Sequence, residues 1–217
     1  SAGVLSAVAA LAQNSGAKLA WIPRRAGERG AIEAGALGNL LPGGRPVTDP
    51  AARVDIASAW SVASLPAQVG RTAEEMVSAV ESGELEALVV GGMDPYDCKG
   101  AERMLDAYEK AFVVALDISH STATAFADVV LPVAAVAEKS GSFLNWEGRA
   151  RSFEVAINDS IHRSDARVLS MVAAGMGTDL GLTSADSAAR EFASLGVWDG
   201  ARAPFTPVQA PTPITVG

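Results

Sequence analysis

The chain has 217 residues, 49% of them hydrophobic but only 6% aromatic, with 21 Gly and 11 Pro. That length builds one α/β domain or two small ones without disulfide or metal support, and its small apolar side chains suit helices packed closely on a sheet. Seventeen basic against 25 acidic residues give a net charge of −8, and no basic run exceeds Arg24-Arg25; a nucleic-acid partner is excluded, because phosphate binding needs a concentrated cationic face.

Val4, Leu5, Val8, Leu11 and Ala12 fall at helical spacing and Gly16 closes that helix; the apolar run Lys18 to Ile22 is then expected to form a strand stopped by Pro23. Arg24 to Thr48, rich in Gly and broken by Pro42 and Pro46, reads as an irregular excursion with one short helix. Thr48 or Asp49 caps a helix over Ala51 to Ser61. Thr72-Ala-Glu-Glu75 is a capping box that starts another, ended by Gly83. Buried strands are expected at Leu85 to Val90, Phe112 to Leu116 and Asp128 to Leu131, separated by a helix over Cys98 to Lys110 and a short one over Ser121 to Ala127. Alternation of this kind produces parallel pairing, hence an α/β, Rossmann-like three-layer domain with a mainly parallel sheet. Beyond Pro132, the segments 141–145 and 147–149 read as extended with turns, 152–157 as a strand, and 164–176 and 184–195 as helices. Residues 1–200 are expected to form the domain and 201–217 a Pro-rich linker cut in mid-chain; the opening Ser1-Ala2-Gly3, without Met, reads as an internal piece of a longer polypeptide with Ser1 a cloning scar.

Cys98 is the sole cysteine, so neither an internal disulfide nor a thiolate-ligated iron–sulfur cluster is contained in these residues. No apolar run reaches the length of a membrane-spanning helix. His120 lies just past a strand's carboxyl end, where ligand crevices of open α/β sheets are found; a histidine bonded locally in its loop is the favoured reading, and His162 falls in a polar turn. Gly91-Gly92-Met93-Asp94-Pro95 lets a phosphate approach bare backbone, yet neither strong nucleotide fingerprint is present, which favours an ordinary strand-to-helix turn. Cys98, near a helix start, is favoured as a packed side chain. The glycines at 35, 38, 43 and 44 suggest a cradle but read better as turn residues. Glu138, Lys139, Glu147, Arg149 and Arg151 form either an anion site or solvated pairs, with pairs the default. The four tryptophans, Trp21, Trp60, Trp146 and Trp198, read as packing anchors. Residue chemistry alone therefore yields a scaffold with a crevice and no catalytic set.

The run Ala127 to Arg149, ADVVLPVAAVAEKSGSFLNWEGR, resembles the molybdopterin oxidoreductase superfamily, in which these motifs recur in this order. Upstream, LEALVVGGMDP (85–95) and FVVALDIS (112–119) look like that family's preceding βα units. Gly30-Ala-Ile-Glu-Ala-Gly35 and Leu40-Leu-Pro-Gly-Gly-Arg-Pro46 are similar, within it, to the family of large G subunits of bacterial NADH:quinone oxidoreductases, respiratory complex I. The resemblance implies loops that in relatives approach a bis-guanine-dinucleotide molybdenum cofactor, here a vestigial pocket of Gly91, Gly92, Asp94, Asp117, His120, Thr122, Asn145 and Glu147. Asp94 stands where relatives commonly carry an amide, and a carboxylate repels phosphate.

The same resemblance implies a structural and assembly module without molybdopterin. Iron–sulfur clusters are expected in the N-terminal part of the full subunit, with partners in that region and in other hydrophilic-arm subunits, at the cytoplasmic face of the plasma membrane and with no direct membrane insertion. Two readings stay beside it: the cofactor-binding portion of a molybdenum-dependent oxidoreductase such as a formate dehydrogenase, and an independent small-ligand domain. These residues alone are not expected to oxidise NADH.

Overall fold

A computed structural model describes residues 2–23, 27–182 and 184–203, so Arg24-Arg25 and most of the expected linker, from Pro204 onward, lie outside the described residues. The chain is mixed α/β, as the alternation predicted. Its sheet is parallel and three-stranded in the order β3 (Ala87–Gly91), β4 (Phe112–Asp117), β5 (Val129–Pro132).

Helix α4 (Ala73–Glu81) begins at the capping box read from the sequence. The Thr72 side chain accepts from the Glu75 N–H, and the Glu75 carboxylate accepts from the Thr72 N–H; both orphan donors are thereby satisfied. Helix α5 (Ala101–Lys110) starts three residues later than its periodicity suggested. Pro95–Asp97 close a 3₁₀ turn, and Gly100, at φ +81°, supplies the left-handed residue that turns the chain into the helix. One core joins the two helices to one face of the sheet: Val77 and Val80 of α4 and Met104, Ala107 and Tyr108 of α5 pack on Val90 and the fully buried Val113. The opposite face of these strands leaves Val89 70% and Phe112 51% exposed.

Asp128 fastens β5 to this unit. Its carboxylate accepts the Val113 N–H at 2.7 Å while its own N–H donates to the Val113 carbonyl at 2.9 Å. The acidic residue of the ADVVLP motif thus sets where β5 joins β4.

Before the sheet come α1 (Ala2–Ser15), α2 (Glu28–Glu33), a small hairpin of β1 (Leu40–Leu41) and β2 (Arg45–Pro46), and α3 (Pro50–Ala59), capped by Asp49. Arg45 is 2% exposed. It is satisfied by the Leu195 carbonyl at 2.7 Å, the Pro42 carbonyl and the Asp55 carboxylate at 3.2 Å, and it lies over the Trp198 ring; a buried cation requires such a set. Gly43 permits this arrangement, since a Cβ there would stand 2.5 Å from the Arg45 guanidinium.

Two expected strands differ. Lys18 to Ile22 forms no strand, because no described strand pairs with it to complete its hydrogen bonds. The strand expected over 152–157 ends at Phe153: β6 (Gly141–Leu144) and β7 (Ala150–Phe153) form an antiparallel hairpin whose register runs out there. Phe143 and Phe153 stack across it at 5.1 Å. Helices α6 (Thr122–Ala125), α7 (Asp165–Gly175) and α8 (Ala185–Ser194) fall within the expected spans.

Candidate functional site

Three parallel strands place their carboxyl ends side by side, and the turns that leave them enclose a cleft of about 370 Å³. Gly92, Met93 and Asp94 follow β3; Leu116, Asp117, Ile118 and Ser121 come from the end of β4 and the turn into α6; Val133 follows β5; Lys139 and Asp165 close the rim. This is where ligands enter open α/β sheets. Its volume is at the lower end of the roughly 300–1,000 Å³ of small-molecule pockets.

Each carboxylate in the cleft already has a structural task. Asp94 Oδ1 accepts the Tyr96 N–H at 3.0 Å, capping the 3₁₀ turn. Asp117 accepts the Ile118 N–H and the Ser121 hydroxyl, both at 2.7 Å, and Ser121 in turn caps α6 by accepting the Thr124 N–H. Lys139 Nζ lies 2.5 Å from Asp165 Oδ2. Beside Lys139, Glu138 is held below the usual carboxylate range, first by the Ala135 N–H, then by Ser160 and His162.

Of the expected pocket residues, Gly92, Asp94 and Asp117 line the cleft together, with Gly91 ending β3 immediately before them. His120 and Thr122 are not among the lining residues: His120 is exposed in the turn and Thr122 opens α6. Asn145 and Glu147 sit at the tip of the β6–β7 hairpin. There Asn145 Oδ1 accepts the Glu147 and Arg149 N–H groups at 3.0 and 2.8 Å, and Glu147 pairs with Arg149 at 3.3 Å. These two side chains build a turn, with Gly148 at φ +83° completing it. Cys98 packs against the core with its sulfur 3.8 Å from that of Met93.

Sequence reasoning missed Lys139 and Asp165 as cleft residues. Their 26-residue separation left Lys139 read as one of the solvated pairs and Asp165 as a residue of the helix over 164–176. It also missed the apolar floor of Met93, Leu116, Ile118 and Val133, which looked like ordinary strand ends.

The lining is a poor match for a dinucleotide-borne cofactor. Asp94, Asp117 and Asp165 present three carboxylates, and the one ammonium among the lining residues is already held by Asp165. A pyrophosphate in this cleft meets like charge, with no spare cation among the described lining residues to offset it. Among the described residues no group of three or more His, Cys, Asp or Glu is placed to hold a metal ion.

Comparison with known proteins agrees with the motif reading. The chain is 50% identical over 205 residues to the NADH-quinone oxidoreductase G subunit of Mycobacterium bovis, covering 93% of this chain and 25% of that protein. It is 51% identical over 208 residues to the Streptomyces coelicolor protein of the same name, with the same coverage of 93% and 25%. Formate dehydrogenase H of Escherichia coli is 33% identical over 155 residues, 69% of this chain and 21% of that enzyme. The chain thus spans about a quarter of the length of the G-subunit relatives it matches. The family model for molybdopterin oxidoreductase matches residues 2–173; with its parallel α/β sheet and its motifs in family order, the chain belongs to the molybdopterin oxidoreductase family.

Proposed function

We propose that this chain is a structural and assembly module of the G subunit of a complex I. In this reading it supports electron transfer from NADH to quinone, which iron–sulfur clusters outside these residues carry. The observation that carries the reading is identity near 50% across 93% of the chain to two proteins named as NADH-quinone oxidoreductase G subunits. The charge of the cleft supports it, since three carboxylates disfavour a pyrophosphate-bearing cofactor. A single cysteine supports it further, because thiolate-ligated clusters need several. The partners are then the cluster-bearing part of the same subunit and neighbouring hydrophilic-arm subunits. The location is the cytoplasmic face of the plasma membrane, and no described helix is long and apolar enough to cross a membrane.

Metal analysis and pterin fluorescence on the full-length subunit, purified within its complex, test this reading. The expected result is an NADH-oxidising complex with no stoichiometric molybdenum or tungsten and no released pterin in this subunit. A second reading, part of a molybdenum-dependent oxidoreductase, is favoured by the 33% identity to formate dehydrogenase H. Stoichiometric metal and pterin establish that reading and overturn the first.

A further inference from the structure

Residues 2–22 combine an apolar helix face with an apolar run after it, and the described structure covers neither. Val4, Leu5, Val8 and Leu11 of α1 are all exposed. After Gly16, at φ +69°, ends that helix, the chain continues through Lys18-Leu-Ala-Trp-Ile22 without regular secondary structure, and Leu19, Trp21 and Ile22 are 62%, 63% and 67% exposed. Large apolar groups left in water in this density mark a contact surface. The backbone of residues 18–22 makes no hydrogen bond to another described residue.

The pattern of the run says what it lacks. Alternate residues of a strand face opposite sides, so as a strand this run would set Leu19 and Trp21 on one side and Ala20 and Ile22 on the other, both apolar. That is the signature of an interior strand in a parallel sheet, covered on both faces; an antiparallel strand with one wet face alternates apolar with polar. The helix in front completes the motif, because a helix leading into such a strand is the second half of a strand–helix–strand unit whose two strands lie parallel in one sheet.

We propose that Lys18–Ile22 is an interior strand of a second parallel sheet, with α1 as its crossover helix, and that the neighbouring strands come from the remainder of the same subunit. The proposal rests on the reading of this chain as part of a G subunit, whose curated relatives are about four times as long as the segment matched. A second copy of the chain is a poorer occupant. Pairing of one strand with itself across the two-fold axis of a closed dimer, with that axis normal to the sheet, is antiparallel, against the doubly apolar pattern.

Amide hydrogen exchange on the full-length subunit in its complex reads the strand directly. The expected outcome is protection of the amides of residues 19–22 by 100-fold or more over unstructured rates, with the β4 peptide of the same sample as reference. Cross-linking from Lys18 is expected to reach residues of the same subunit outside 1–217. Trp21→Glu is expected to abolish protection over residues 2–22 while β4 stays protected. Exchange at unstructured rates in the wild-type complex overturns the proposal, as do Lys18 cross-links confined to a second copy, or unchanged protection in Trp21→Glu. The metal, pterin and NADH measurements judge the functional reading separately: an unprotected strand in a metal-free, NADH-oxidising complex sinks the strand alone.

Discussion

Two stretches of this chain carry the same local instructions and meet different fates. In residues 72–132, helices alternate with apolar runs, and β3, β4 and β5 pair in parallel over α4 and α5. In residues 2–22, a helix leads into an equally apolar run, and the run stays exposed and unpaired with any described strand. The difference is the neighbour. A helix closes its backbone hydrogen bonds within itself, whereas a strand's donors and acceptors need another strand, so α1 forms without one and Lys18 to Ile22 does not.

The largest predicted effect comes from Val113→Asp. It places a carboxylate at a fully buried position of β4 and is expected to cost at least 4 kcal/mol, roughly the upper range for a single substitution, abolishing cooperative unfolding of the β3–β5 unit in denaturant melts. Leu19→Asp is the counterpart. At a 62% exposed position it is expected to change the stability of the 217-residue chain by no more than about 0.5 kcal/mol. A loss comparable to that of Val113→Asp in the isolated chain would show that residues 18–22 already have a partner there and end the contrast.

Asp128→Ala sharpens the comparison from the side of the paired strands, removing the carboxylate that accepts the Val113 N–H. An expected loss of about 2 kcal/mol, measured by urea unfolding, reports how much one side chain contributes to joining β5 to β4.

Tyr108 probes the core these strands share with α5. It is 3% exposed, its hydroxyl has no hydrogen-bond partner among the described residues, and burial, with a smaller contribution from Cys98, pushes its phenol up from 10.0 to about 12. A raised folded value favours the neutral phenol in the fold. Its contribution to stability is therefore complete below pH 10 and is lost as pH rises from 10 towards 12, by about 2 kcal/mol. Tyr108→Phe is expected to remove that alkaline loss and to gain about 1 kcal/mol at neutral pH, because an unsatisfied buried hydroxyl is costly; pH-dependent thermal melts of the two proteins check both. A smaller loss than that of Asp128→Ala is expected for Thr72→Ala, about 1 kcal/mol for the α4 cap, readable as a lower denaturant midpoint with unchanged slope.

Much of the parallel unit was legible from residue order. The Thr72–Glu75 capping box, the runs at 85–90, 112–116 and 128–131 and the helices between them are local signals, and all appear within a few residues of the expected places. The cleft was half legible. Gly92, Asp94 and Asp117 follow strand ends, and position after a strand end can be read along the chain. Asn145 and Glu147 carry the same family motif but are spent on a hairpin turn. Lys139 and Asp165 meet only because the chain returns after 26 residues, a juxtaposition no spacing rule announces.

Sequence by itself determined the α/β class, the caps, the breaks at glycine and proline, and the charge that disfavours nucleic acid. These depend on backbone preferences and side-chain chemistry within a few residues. Tertiary structure decided which apolar runs became strands, which motif residues reach the cleft, and that the cleft is acidic over an apolar floor. Each of those needs groups distant in the chain to arrive together, and a strand or a pocket exists only when its far side is supplied.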